Sequence, residues 1–293
     1  MPPIVVVVGS LHYDILLEAP HLPARGETVT GQSWRPKFGG KGGNQALAAR
    51  AAGAEVRFVG CTGRDVFGRA LRARLAAAGI DADRIAESEL ATGISVAICE
   101  PTGDYGAAIV SGANLSLDPD GLAEPALWRG AQALVLQNEI PETANRAAAT
   151  AARRAGLTVI LNAAPMRHMA PDLLAAVDML IVNAVEAAAQ SGQPVGDLDT
   201  ALAAARALTR QVPTAIVTAG GAGVAWAGRF GAGSRPAERV PVVSTHGAGD
   251  CFTGTLAATH AAGAALAQAI AQASRAAARH VAAPADYSSP GTP

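Results

Sequence analysis

The 293-residue sequence has little charge and few aromatic side chains or cysteines. Charged residues make up 16% of it and nearly cancel, because 23 lysines and arginines face 24 aspartates and glutamates. No basic run could supply phosphate contacts, so neither nucleic acid nor an anionic membrane is an expected partner. The three cysteines are widely spaced and form no CxxC pair, which indicates neither a disulfide framework nor a zinc site and favours a reducing cytoplasm.

Long hydrophobic runs are missing too, although half of the residues are hydrophobic. The N-terminal apolar run Ile4–Val8 ends at Gly9. It is shorter than the apolar region of a secretion signal, about 7–15 residues, and than a membrane span of about 20. We therefore expect a buried strand. The high apolar fraction and small net charge also exclude a disordered chain. We therefore expect a cytoplasmic α/β protein, a class in which most members are enzymes.

Apolar runs alternate with alanine-rich helical patterns along the chain. Runs such as Met179–Asn183 and Thr214–Thr218 are typical of strands covered on both faces. Further predictions are a helix over Gln45–Ala52 and short strands at Val224–Ala227 and Arg239–Val243. Strands separated by helices imply βαβ units. The predicted fold class is α/β, with a doubly wound, mostly parallel central sheet and helices on both faces.

Two strand-rich segments, 11–38 and 93–111, contain no helical pattern. The second segment looks like a hairpin with strands at Ile94–Cys99 and Ala107–Val110. Both segments are too short for a core of their own. We therefore predict that they pair into one small β-sheet lid on a single domain that spans residues 1–293.

The segment Thr245–Asp250 (THGAGD) opens a predicted helix. Its small residues let a ligand approach the backbone, and the N–H groups and dipole of a helix start attract anions. Two interpretations of Asp250 remain open at this point. An aspartate in the first turn stabilises a helix, and a carboxylate beside a phosphate cradle is also a candidate general base.

A second glycine-rich segment, Gly39–Asn44 (GGKGGN), also precedes a helical pattern. It is not a P-loop, because no serine or threonine follows Lys41. It is either a turn between the small sheet and the core or a site for a polyhydroxylated ligand, which backbone N–H groups, an ammonium and an amide would suit.

Other polar residues follow predicted strand ends, where an open α/β sheet binds its ligands. Asn183 and Glu186 have the spacing of a capping box, which alone explains them. Gly220–Gly223 fails the dinucleotide fingerprint because a strand pattern follows it. His12, Asp14 and Glu139 are candidates for binding a substrate, but single polar residues in turns are more often structural than functional. The histidines show no metal-ligand spacing.

The order of these motifs resembles the ribokinase (PfkB) family of carbohydrate and nucleoside kinases, and ribokinases most closely. The resemblance runs from Gly9 to about residue 280. It rests on the signatures Phe38–Gln45 (FGGKGGNQ) and Thr245–Gly254 (THGAGDCFTG), supported by Leu161–Pro165 (LNAAP), Asn183–Glu186 and Thr218–Gly223. It implies the ribokinase-like fold, with a β-sheet lid that often forms a dimer interface.

The resemblance also implies site roles. Asp250 matches the catalytic base, and Gly247, Ala248 and Gly249 match the anion hole. The sugar-binding positions are His12, Asp14, Gly40, Lys41, Gly42, Asn44, Glu139 and Asp250. Asn183 and Glu186 match the motif that supports Mg²⁺ through water. The nucleotide-binding positions are Asn183, Glu186, Thr218, Gly220, Gly221, Gly223, Gly249 and Ser274.

Two positions depart from the family pattern. His12 stands where the family usually has asparagine, which bears on the identity of the sugar. Ser244, two residues before His246, stands where cation-activated ribokinases have aspartate. A hydroxyl is a poorer cation ligand than a carboxylate, so we expect little dependence on K⁺.

We therefore expect an ATP-dependent, Mg²⁺-requiring kinase that acts on a primary hydroxyl of a pentose, with ribose the first candidate. A nucleoside or ketohexose kinase of the same family, favoured by His12, is the alternative. A non-catalytic sugar or nucleotide sensor is a further one. The expected partners are a small-molecule sugar or nucleoside and, through the lid, a second copy of the chain.

Overall fold

The computed structural model describes residues 1–102 and 104–283. Strands in this part of the chain are β1 (Ile4–Val8), β2 (His12–Glu18), β3 (Ser33–Gly39), β4 (Glu55–Gly63), β5 (Asp81–Ser88), β6 (Ile94–Cys99), β7 (Tyr105–Val110), β8 (Ala133–Gln137), β9 (Thr158–Asn162), β10 (Met179–Asn183), β11 (Thr214–Thr218), β12 (Gly223–Gly228) and β13 (Gly233–Pro236). The α-helices are α1 (Lys41–Ala51), α2 (Val66–Ala77), α3 (Pro125–Trp128), α4 (Glu142–Arg154), α5 (Pro171–Ala176), α6 (Ala184–Ser191), α7 (Leu198–Leu208), α8 (Ala248–Ala261) and α9 (Leu266–Ala282).

Nine strands form the central sheet in the order β13-β12-β11-β10-β9-β8-β1-β4-β5. Every neighbouring pair from β11 to β5 is parallel, and β12 and β13 are antiparallel additions at one edge. Parallel strands joined by helices bring their carboxyl ends to one edge of the sheet. Ligands of open α/β folds bind at that edge.

The central strands are buried on both faces because their side chains alternate between two cores. In β1, Val6 and Val8 belong to the core that includes buried residues of helices α4 to α7, whereas Val5 and Val7 belong to the core that includes those of α1, α2, α8 and α9. Helices therefore cover both faces of a mostly parallel sheet. The predicted fold class is confirmed.

A second sheet has the order β3-β2-β6-β7. The segments 11–38 and 93–111 supply all of its strands. Since β2 begins four residues after β1 ends, the start of the second sheet lies close to the carboxyl end of the central one. In the register of β2 with β3, Asp14 lies opposite Lys37 and His12 opposite Gly39.

Several boundaries differ from the sequence-based expectation. Helix α1 begins at Lys41 rather than Gln45, so the second glycine-rich segment forms its first turn. The prediction of a strand over Arg239–Val243 was wrong. These residues lie beside a cavity instead, and the edge partner of β12 is β13. Strand β5 was not expected, because its sequence DADRIAES is that of a polar edge strand.

In the ranges 1–102 and 104–283, none of the helices has the length and apolar character that crossing a membrane requires.

Candidate active site

The start of α8 places Asp250 at the edge of the central sheet. Gly247 takes a left-handed conformation, with φ 83°, and turns the chain into the helix. The first N–H groups of a helix have no partner within the helix. The Ala248 N–H donates to the Thr245 carbonyl at 3.2 Å, so the turn presents backbone donors at Gly247 and Gly249 next to Asp250. The Asp250 side chain itself is buried, with 7% of its surface exposed.

The start of α1 lies against the connection between β1 and β2. A Cβ atom on Gly42 would lie 2.6 Å from the Ser10 main-chain nitrogen, and one on Gly40 2.8 Å from main-chain atoms of the same connection. Gly40 also has φ 87°. Glycine is required at both positions because the two backbones approach so closely. This packing brings Lys41 and Asn44 into the site.

Side chains of α1 surround the Asp250 carboxylate. Gln45 donates from Nε2 to Oδ1 at 2.9 Å, and Asn44 donates from Nδ2 to Oδ2 at 3.4 Å. Burial raises the pKa of Asp250 to about 6, while the Lys41 charge and the Gln45 hydrogen bond act in the opposite direction. A carboxyl that titrates near neutrality suits general-base chemistry.

Glu139 connects β1, β2 and α1. Its Oε2 accepts hydrogen bonds from the Ser10 hydroxyl and, at 2.8 Å, from the Lys41 main-chain nitrogen. His12 Nδ1 lies 3.8 Å from the same oxygen. The His12 ring is buried, and its Nε2 has no hydrogen-bond partner within the part of the chain that the structure describes.

Asp14, on strand β2 of the small sheet, is a second buried carboxylate of the site, after Asp250. It accepts a hydrogen bond from the Ser95 hydroxyl at 2.8 Å, and its Oδ2 lies 4.0 Å from His246 Nε2. Burial raises its pKa. The pKa of Lys37, opposite it on β3, is lowered by burial, against the charges of Asp14 and Asp250. Lys37 was not expected in the site, and only the strand register reveals it.

A cavity of about 770 Å³ opens on the other side of the Asp250 turn. The residues expected in catalysis or nucleotide binding lie in its wall. They are Asn183, Glu186, Thr218, Gly220, Gly221, Gly223, Gly247, Ala248, Gly249, Asp250 and Ser274. Within the described residues, Lys41 and Asp250 are the sugar-site candidates that also line it. His12, Asp14, Gly40, Gly42, Asn44 and Glu139 do not.

The turn after β11 presents backbone to this cavity. Gly220 and Gly223 have φ 53° and 125°, and the Ala219 N–H closes the turn on the Gly223 carbonyl at 2.7 Å. Thr218 is fixed by a hydrogen bond from its Oγ1 to the Val182 carbonyl at 3.4 Å. Ser274 reaches the wall from α9.

Asn183 and Glu186 form the complete capping box of α6, with reciprocal hydrogen bonds of 2.9 Å. Glu186 is nevertheless on the cavity wall, and burial raises its pKa. Residues 1–102 and 104–283 hold no cluster of three or more histidine, cysteine or acidic side chains that could form a metal cage. One carboxylate fits Mg²⁺, which keeps several waters and shares its remaining ligands with phosphates.

Ser244 and His246, which the resemblance placed at a cation position, are held by hydrogen bonds within the protein. The His246 N–H donates to the Ser244 hydroxyl at 3.3 Å, and the His246 carbonyl lies 2.9 Å from His280 Nε2. His280 thus ties the turn before α8 to the end of α9.

Two further residues of the site, Gln45 and Asn162, were not among the sequence-based candidates. Gln45 lies one position after Asn44 in the second glycine-rich segment, and Asn162 ends β9 within the motif LNAAP. The hydrogen bonds of these side chains across the fold, however, have no signature in sequence spacing.

The family described as pfkB family carbohydrate kinase matches residues 3–291. A ribokinase of Haemophilus influenzae is 32% identical over 251 residues, which cover 85% of this chain and 82% of that protein. A ribokinase of Arabidopsis thaliana is 34% identical over 269 residues, covering 87% and 70%. The structure of Arabidopsis thaliana ribokinase complexed with ribose and ATP is 30% identical, with a TM-score of 0.88 over 98% of this chain and 95% of that one.

Proposed function

The chain belongs to the pfkB family of carbohydrate kinases, and on this premise we propose that it transfers the γ-phosphate of ATP to the primary hydroxyl of a pentose. Ribose, converted to ribose 5-phosphate, is the proposed acceptor. The observation that carries this proposal is the position of Asp250. It lies between a cluster of buried carboxylates and a cavity walled by glycine backbone, with a pKa of about 6.

Each side of Asp250 has the chemistry that one substrate needs. Carboxylates such as Asp14 and Glu139 accept hydrogen bonds from sugar hydroxyls, and Lys41 lies at the boundary with the cavity. Gly247 and Gly249 at the helix start and Gly220 and Gly221 in the turn after β11 offer backbone N–H groups to phosphate oxygens. The N–H groups of Ala248 and Ala222 already donate to the Thr245 and Ala219 carbonyls. The Arabidopsis relative whose structure holds ribose and ATP supports this choice of substrates.

In the proposed reaction Asp250 takes the proton of the acceptor hydroxyl as that oxygen attacks the γ-phosphorus. Positioning and charge stabilisation dominate phosphoryl transfer, and a placed carboxylate base contributes about 10²–10⁴-fold. The N–H groups of Gly247 and Gly249 and the Lys41 ammonium stabilise the negative charge that develops. Glu186, with Asn183, would hold Mg²⁺ through water, and the ion when bound neutralises phosphate charge.

The second sheet is proposed to act as the lid of residues 11–38 and 93–111 on one domain that spans residues 1–293, and as the contact between two copies. Its outer strands expose large apolar side chains, with 63% of Trp34, 69% of Tyr105 and 63% of Ile109 accessible. Covering these side chains in a homodimer would remove apolar surface from water. A cytoplasmic location stays a prediction.

A nucleoside or ketohexose acceptor is the alternative, and His12 favours it. This imidazole is buried beside Glu139 and leaves Nε2 without a partner in the described residues. Burying a nitrogen without a hydrogen-bond partner costs free energy, so a group of the substrate is expected to bond His12 Nε2. A non-catalytic sensor fits less well, because binding alone does not need a carboxylate poised near neutrality.

The test is ADP release with ATP and Mg²⁺ over a panel of acceptors: ribose, 2-deoxyribose, fructose, adenosine, inosine, cytidine and pseudouridine. Asp250→Asn is the control. Turnover on ribose supports the proposal. Turnover on a nucleoside or on fructose instead would support the alternative acceptor with the same phosphoryl-transfer chemistry. No turnover on the panel would contradict the proposed acceptor class.

A further inference from the structure

A chain of polar side chains connects β10 to Asp250. Asn162 donates from Nδ2 to the main-chain carbonyl of Ile181 at 3.2 Å. Its Oδ1 accepts from Gln45 Nε2 at 3.1 Å, and the same Nε2 donates to Asp250 Oδ1 at 2.9 Å. The Gln45 side chain is completely buried. These two contacts use both N–H groups of its amide.

The direction of this chain is fixed at its far end. A main-chain carbonyl only accepts, so Asn162 turns its NH₂ group toward Ile181 and its oxygen toward Gln45. That oxygen requires a donor, so Gln45 presents NH₂ rather than C=O. The second N–H then points to Asp250, which makes Gln45 a donor that favours the charged carboxylate.

The two oxygens of Asp250 are thereby distinguished. Oδ1 is engaged by Gln45 at 2.9 Å, whereas the contact of Oδ2 with Asn44 is longer, at 3.4 Å. Oδ2 is therefore the oxygen with lone-pair capacity for an incoming proton. Rotation of the carboxylate would exchange the two oxygens, and the bond from Gln45 opposes that rotation.

We propose that Gln45, supported by Asn162, is a positioning residue that keeps Asp250 ionised and reserves Oδ2 for the proton of the acceptor hydroxyl. This inference rests on the proposed kinase function. In the step, an O–H bond forms at Oδ2 while the acceptor oxygen bonds to the γ-phosphorus. The bond from that phosphorus to the bridging oxygen breaks, and its electron pair leaves with ADP.

Burial makes this support necessary. Burial, together with the charge of Glu139, raises the pKa of Asp250 to about 6, although Lys41, Gln45 and Asn44 favour its charged form. The Lys37 ammonium on β3 also interacts with this carboxylate. Without the Gln45 donor, burial would raise the pKa of Asp250 further, and a larger fraction of this carboxyl group would be protonated at neutral pH. The acidic limb of the pH–rate profile therefore reports directly on Gln45.

The experiment compares kcat/KM for the active acceptor between pH 5 and 9 in wild type, Gln45→Met and Gln45→Glu. Gln268→Met, at an exposed position of α9, controls for the Gln-to-Met change. We expect the acidic midpoint to rise by about one pH unit in Gln45→Met and by more in Gln45→Glu, where two carboxylates compete. The kcat at pH 7 falls about tenfold, and KM for ATP stays within about twofold. Unchanged midpoints would overturn the proposal.

A second readout does not require turnover. In protein labelled with ¹³C at aspartate Cγ, the Asp250 signal is identified by its loss in Asp250→Asn, and its titration midpoint is expected to rise in Gln45→Met. If that variant does not fold, Gln45→Glu and Asn162→Leu test the same chain. A silent acceptor panel with the expected shift would contradict the proposed acceptor class, whereas activity without a shift would contradict only the role of Gln45.

Discussion

The two sides of Asp250 are built from different parts of the chain. On the proposed acceptor side, the residues Ser10, His12, Asp14 and Glu139 are here called the acceptor cluster. Their side chains are buried or nearly buried, and directed hydrogen bonds hold Ser10, Asp14 and Glu139. On the proposed nucleotide side, the cavity of about 770 Å³ exposes the glycine-rich backbone of two turns, residues 220–223 and 247–249, among apolar and polar side chains.

This difference assigns separate tasks to side chains and backbone. Directed side-chain hydrogen bonds discriminate between acceptors, because an unmatched buried polar group is costly. Backbone N–H groups bind phosphate oxygens whichever side chains surround them. Substitutions in the acceptor cluster should therefore change the acceptor KM, and substitutions in the cavity wall the nucleotide KM.

The largest effect is expected at Asp250, where the two sides meet. Asp250→Asn removes the proposed base but keeps the size of the side chain, so turnover should fall by at least about 10² while nucleotide affinity changes little. ADP release measures turnover, and calorimetric titration with ADP measures affinity. Turnover close to that of wild type would contradict the assignment of the base.

The same variant should be more stable than wild type at neutral pH. The folded-state pKa of Asp250, about 6, lies above the ordinary aspartate value of 3.8, so the buried carboxylate opposes folding above pH 6 and this penalty disappears below pH 4. Asp250→Asn removes it, which corresponds to about 3 kcal/mol at pH 8. Thermal unfolding at pH 8 and pH 4 checks this, and an equal Tm difference at both pH values would contradict it.

Glu139→Gln tests the acceptor cluster. The carboxylate accepts from Ser10 and Lys41 and lies beside His12, and a neutral amide replaces part of this acceptor capacity with donors. We expect KM for the acceptor to rise about 10- to 100-fold, with KM for ATP within about threefold. Steady-state kinetics with each substrate varied in turn measures both KM values. Equal changes in the two would contradict separate sites for the acceptor and the nucleotide.

A pair of glycine substitutions compares the two sides directly. A Cβ at Gly42 would lie 2.6 Å from the Ser10 main-chain nitrogen, whereas one at Gly249 meets no atom within 4 Å in the described structure. Gly42→Ala should therefore destabilise the fold by about 1–3 kcal/mol. Gly249→Ala should fold normally but raise KM for ATP about tenfold, because the methyl group occupies the approach of the phosphates.

Denaturant unfolding and kinetics of the two variants supply the measurement. A loss of stability in Gly249→Ala, or an unchanged KM for ATP with normal folding, would show that the helix start does not approach phosphate.

The smallest effect is expected from the monovalent cation. Ser244 offers a hydroxyl instead of a carboxylate, and the His246 carbonyl is already paired with His280. Replacing K⁺ with Na⁺ at equal ionic strength should change kcat less than about twofold, since the Ser244 hydroxyl is a poorer cation ligand than a carboxylate. Strong selective activation by K⁺ would contradict this prediction.

The sequence by itself determined the parallel sheet and the positions of the main motifs. Strands such as Met179–Asn183 and Thr214–Thr218 have the predicted boundaries, because an apolar run between turn residues is a local signal that burial on both faces reinforces. The start of α8 at Ala248 was also predictable to within one residue, since glycine and aspartate favour a helix start by local geometry.

Only the tertiary structure decided which side chains meet. Gln45 and Asp250 are 205 residues apart, and their contact depends on the packing of α1 against α8. Lys37 enters the site because of the register of β2 with β3, and β13 rather than Arg239–Val243 forms the sheet edge. Such contacts follow from the relative placement of whole elements. A pattern read along the chain carries no information about that placement until the chain has folded.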